Sequence, residues 1–160
     1  MNNITKILIE QLLINENDIL YHATNSTWDK PKTSGLGFHA GTLEAAQDRM
    51  KSFRYNINPH IKKVKLDIKN PLYLERDYRF HNNLEKVVKE LYKDHVITKK
   101  DKEFLIGNIY SSDSTFDNLK TILHDKYGYD GIRYRNNIED RGSYSYIAFY
   151  PEQIKIIGEV

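Results

Sequence analysis

Near the C-terminus, "YDGIRYR" and "SYSYIAFY" are joined by the polar turn "NNIEDRG", and this pair does most to limit what the chain can fold into. Both runs are rich in β-branched and aromatic residues, the composition of paired strands, and "QIKII" adds a last strand after Pro151. Whatever precedes them must supply their partners.

Two earlier stretches have strand character. "DILYHAT" reads as an early buried strand, and "KKVKLDI" alternates Val64, Leu66 and Ile68 with polar residues, the pattern of a half-buried strand that "NPLYLE" continues past a proline break. "LGFHA" is short and extended, and Thr42 then caps a helix with Ala46, Met50 and Phe53 on its inner face. The loop "NSTWDKPKTSG" between them is dense in turn formers and long enough to fold over a cleft.

Helical spacing dominates the middle. From Asn82 to His95, Leu84, Val87, Val88, Leu91 and Tyr92 form one stripe. Thr98 with Asp101, and Ser114 with Asp117, mark the starts of two more helices, which Gly128 stops. An amphipathic helix over residues 1–14 opens the chain, carried by Ile4, Ile7, Leu8 and Leu12. Strands toward both ends with helices over 76–127 between them predict a single α+β domain, 1–160, with mostly antiparallel pairing.

Composition excludes several function classes. At 160 residues and 39% hydrophobic, the chain can bury its own core. Twenty-four basic residues against 22 acidic ones, well interspersed, make no stripe of the kind a dedicated nucleic-acid binder carries. Without cysteine there is no disulfide, zinc ribbon or thiol nucleophile. Lys6, Glu10 and Gln11 interrupt the apolar N-terminal face, so neither a signal peptide nor a membrane span is expected and a cytoplasmic location is. Metal is not expected either, because His22 and His39 are far apart in sequence and no HxH or HExxH spacing exists. GxSxG is also missing, so Ser143 and Ser145 do not read as triad nucleophiles. What remains is a histidine on an early strand, His22, and an acid in a polar turn beside a late one, Glu139. Each has a bland reading, as a packed core histidine and as a solvated turn charge.

Taken in order, "YHAT", "GLGFHAGTLEAA", "VKLDIKNPLYL" and "GYDGIRYRNNIEDRGSYSYIAFYPEQIKII" resemble ADP-ribosyltransferases of the diphtheria-toxin and poly(ADP-ribose) polymerase type, in particular the small phage and polyvalent-protein branch that includes an anti-CRISPR enzyme. The resemblance implies split antiparallel sheets with an inserted helical region, and NAD+ as co-substrate without a metal. It implies that His22 contacts the adenosine ribose, that the Ala23 backbone holds the nicotinamide amide with Thr24 beside it, and that Glu139 is the catalytic acid. Phe38, His39 and Arg49 are expected as further cofactor contacts, Arg49 toward the pyrophosphate. One departure is plain: the helix after "GLGFHA" lacks the family's stacking tyrosine, leaving Phe38, Phe53 or Tyr55 for that place and favouring single transfer over polymer synthesis. The expected activity is therefore mono-ADP-ribosylation by a phage or bacterial effector, with a host protein as acceptor and DNA or RNA as the alternative. Two other readings stand beside it: a metal-independent ribonuclease using His22, His39 and Glu139, and an inactive ADP-ribosyltransferase fold that serves as a binding module.

Overall fold

The computed structural model describes residues 19–27, 30–33, 35–53, 58–80, 83–109 and 116–160. Among these residues, seven strands and four α-helices follow in the order β1 (Leu20–Thr24), β2 (Phe38–Ala40), α1 (Leu43–Lys51), β3 (His60–Leu66), β4 (Pro71–Leu74), α2 (Leu84–Lys93), α3 (Lys99–Gly107), α4 (Asp117–Thr121), β5 (Gly131–Arg135), β6 (Tyr144–Ala148) and β7 (Ile154–Glu159). A π turn, Ile122–Lys126, extends α4. The architecture is α+β, and the helix expected over residues 1–14 lies outside the described residues.

The strands form two sheets, ordered β1-β3-β7 and β2-β6-β5-β4. All pairings are antiparallel except β4 with β5. That exception corrects the reading of "NPLYLE" as a continuation of the preceding strand: β3 and β4 belong to different sheets. The chain crosses between them at 67–70, where the Asp130 carboxylate accepts from the Lys69 and Asn70 amides at 2.7 and 2.8 Å. Pro71 can open β4 because the first residue of a strand need not donate to the ladder.

Helices α2 to α4 cover one face of the four-stranded sheet. Val87, Val88, Leu91, Leu105, Leu119 and Leu123 pack there with Leu72, Ile132 and Ile147. The opposite face meets the three-stranded sheet through Phe38, Val64, Ile68, Ala148 and Ile154. Helix α1 lies on β1 and β3, with Ala46 against Ala23 and Ile61 and with Met50 and Phe53 at the margin. Gly37 permits the close seating of β2, since a Cβ there would fall 2.2 Å from the Ala148 carbonyl oxygen.

The helical layer is fastened by a buried carboxylate. Thr98 and Asp101 form a reciprocal capping box at the start of α3, and Asp101 also accepts from Lys126 Nζ at 2.7 Å and Tyr127 Oη at 2.5 Å. Burial alone would raise the pKa of Asp101, but the hydrogen bonds from Lys126, Thr98 and Tyr127 outweigh it and hold the group well below its ordinary 3.8. A carboxylate depressed in this way adds stability above its unfolded pKa, and that contribution is lost as pH falls through 3.8 toward the folded value. Asp101→Asn is therefore expected to cost about 2 kcal/mol near neutral pH by leaving donors unmatched. In urea titrations its deficit should shrink as the pH drops below 3.8.

Candidate functional site

The two sheets meet at β1 and β2. Tyr21 and Gly41 exchange both backbone hydrogen bonds, at 2.9 and 3.0 Å, so an antiparallel bridge ties one sheet to the other. One residue on, His22 Nδ1 donates to the His39 carbonyl oxygen at 2.6 Å. Below this bridge opens a cavity of about 430 Å³, within the usual range for small-molecule sites.

The bond to the carbonyl fixes the state of His22. A carbonyl can only accept, so Nδ1 carries the proton and, in the neutral ring, Nε2 carries the lone pair. Burial lowers the His22 pKa below its ordinary 6.5. The bond to His39 opposes that shift and is outweighed, while the positive charge of Arg49 adds to it. His22 is therefore a neutral, oriented hydrogen-bond acceptor at pH 7, and Phe38 stacks on it with ring centroids 4.2 Å apart.

Of the seven residues expected at the site, six line the cavity: His22, Ala23, Thr24, His39, Arg49 and Glu139. Phe38 does not. It is 3% exposed in the core between the sheets and backs His22 rather than facing a ligand. Among the rings offered for stacking, Phe53 is at the wall, together with Phe80, Phe116 and Tyr134, which sequence reasoning missed; Tyr55 lies outside the described residues. Those three come from loops and strands distant in sequence, and nothing in their local pattern separates them from core aromatics.

Arg49 approaches Glu139 as a loose ion pair, Nη1 to Oε1 3.7 Å, with side chains 46% and 23% exposed. The turn that carries Glu139 is fixed at several points. Thr42, which caps α1, donates from Oγ1 to Asp140 Oδ2 at 2.5 Å, and the Asp140 amide donates to Asp48 Oδ2 at 3.0 Å. Asp140 itself has φ of +43°, a left-handed conformation that aspartate tolerates better than most side chains. Helix α1 thus supplies both the Arg49 wall and the clamp on the opposite turn.

Tyr134 and Ser145 form the floor. Ser145 is 4% exposed, and burial raises the Tyr134 pKa, with the charges of Asp77 and Glu139 adding to it, so the phenol stays protonated. Chemically, the cleft combines a neutral imidazole acceptor, a carboxylate, a guanidinium and an aromatic end. That combination suits a ligand bearing hydroxyls, a phosphate and a flat ring. Among the described residues no three His, Asp or Glu side chains converge as a metal-ligand set, and no helix is long and apolar enough to cross a membrane.

No family model matches this chain, and no curated protein does. A solved crystal structure of an anti-CRISPR protein is similar to it with a TM-score of 0.40 and 14% identity, over 88% of this chain and 95% of that one. At that level of likeness the site stands on its own geometry.

The lowered His22 pKa has a measurable consequence. Between the folded value and 6.5 the unfolded chain binds a proton that the native ring does not, so stability rises with pH there and falls on acidification. In urea titrations at pH 7.5 and 5.5, His22→Asn should lose less stability between the two than the native protein does.

Proposed function

We propose that this protein is an NAD+-dependent mono-ADP-ribosyltransferase with the split-sheet fold of that family. The observation that carries the reading is that Glu139 and His22, from opposite ends of the chain, stand on the walls of one cavity with Ala23, Thr24, His39 and Arg49. These are the residues, in the order, that the family resemblance implies. NAD+ matches the chemistry of the walls: ribose hydroxyls for the His22 acceptor, a pyrophosphate for Arg49 and flat rings for the aromatic end.

In the reaction the bond between the nicotinamide nitrogen and the ribose C1′ breaks, and its electron pair leaves with nicotinamide, which becomes neutral. Positive charge builds on the ribose. The fixed Glu139 carboxylate stabilises that charge more than it stabilises the ground state, which is the condition for lowering a barrier. A nucleophile of the acceptor then bonds to C1′ and gives its proton to Glu139 or to water. His22 holds the sugar and transfers no proton. The acceptor is a host protein, with nucleic acid the other outcome of the test, and the site of action is the host cytoplasm.

With labelled NAD+ in a bacterial lysate, the native protein should release nicotinamide and label one acceptor. Glu139→Gln should slow release on the order of a hundredfold, and His22→Ala should weaken NAD+ binding. A labelled protein band names the acceptor class, as does a labelled nucleic-acid fraction. Intact NAD+ with all three proteins would refute the reading, and RNA cleaved without NAD+ would replace it by a nuclease.

A further inference from the structure

Asn136 is a buried, heavily hydrogen-bonded polar residue beside the cleft. It follows the last residue of β5, is 1% exposed, and uses nearly all of its hydrogen-bonding capacity. Its amide donates to the Ser143 carbonyl at 2.8 Å and its own carbonyl accepts from the Gly142 amide at 2.9 Å, closing the turn. Oδ1 accepts from the Ile138 and Glu139 amides at 3.0 and 2.9 Å. Both protons of Nδ2 are used as well, one toward Ser145 Oγ at 3.1 Å and one toward Glu139 Oε2 at 3.4 Å. Ser145 is in turn hydrogen-bonded to Tyr134.

We propose that Asn136 is a positioning residue for the Glu139 carboxylate. It holds Oε2 through Nδ2 and thereby presents Oε1 on the Arg49 side of the cleft. This inference rests on the transferase reading for its kinetic consequence and on the geometry alone for its structural one. The amide does two separable jobs. Oδ1 fixes the backbone of the turn, a task any Asx side chain performs, whereas Nδ2 fixes the carboxylate, a task that needs a donor. The Ile138 and Glu139 amides keep the side chain from flipping, because with its ends exchanged the NH2 would face two N–H donors and the carbonyl oxygen would face the Glu139 carboxylate.

Asn136→Asp separates the two jobs, since it keeps the backbone acceptor and replaces the donor by a second acid. Compared with a crystal structure of the native protein, that of the variant should show the Glu139 carboxylate turned away from residue 136 while the 136–143 turn keeps its path. In nicotinamide release, kcat should fall on the order of a hundredfold, as for a misplaced reacting group, with KM little changed. A carboxylate that keeps its position in Asn136→Asp, or native kcat in that variant, overturns the proposal. If the native protein releases no nicotinamide, the transferase reading fails, and the two crystal structures still decide whether Asn136 sets the carboxylate. Should Asn136→Asp not fold, Ser145→Ala removes the anchor of the amide. Glu139 should then occupy more than one rotamer, and a single native rotamer there would contradict the proposal.

Discussion

Everything at the cleft depends on the splice between the two sheets. The Tyr21–Gly41 bridge and the His22–His39 hydrogen bond are adjacent, so the contact that joins the sheets also sets the tautomer of the cavity histidine. A sheet edge left unpaired exposes donors and acceptors that must be satisfied elsewhere. Here the ends of β1 and β2 satisfy each other for one step and then diverge, and the space between them becomes the cavity. A glycine at 41 leaves Ser145 in place, because a Cβ there would fall 2.6 Å from Ser145 Oγ and displace it.

The far wall is held with equal care. Glu139 sits in a turn, normally the most mobile kind of segment, yet its neighbours are tied to α1 by Thr42 and Asp48 and to β6 through Asn136 and Ser145. Electrostatic stabilisation of a developing charge works only if the stabilising group does not reorganise during reaction. A carboxylate on a freely moving turn would lose much of that advantage. The Arg49 ion pair is too exposed to hold the turn, so the turn depends on the hydrogen bonds to Thr42, Asp48 and Ser145.

Local pattern revealed the elements well and the pairings poorly. The stripe of α2, the Thr98–Asp101 box and the cap at Thr42 are written within a few residues each, and all are present. That His22 and Glu139 would share one cavity came from the order of the motifs in the resemblance, since neither residue's local pattern separates it from a core histidine or a turn charge. The sheet change at Pro71 was not legible, since β3 and β4 both look like half-buried strands and only the crossover held by Asp130 separates them. Phe38 illustrates the same limit: period-two alternation gives two faces, and which one meets the ligand depends on the sheet opposite. Asn136 was hidden for another reason. An asparagine beside a polar turn is ordinary in sequence, and its importance comes from burial and from Ser145, Ser143 and Gly142 converging on it.

The central claim is that this cleft is an NAD+ site, and an NAD+ titration of the isotopically labelled Glu139→Gln protein followed by backbone amide NMR tests it most directly. If NAD+ binds there, the shifted amides will be those of His22, Ala23, Gly41, Ala46, Arg49 and Ser145, with the outer strand β7 unmoved. Shifts centred on another surface, or none at saturating NAD+, would contradict it.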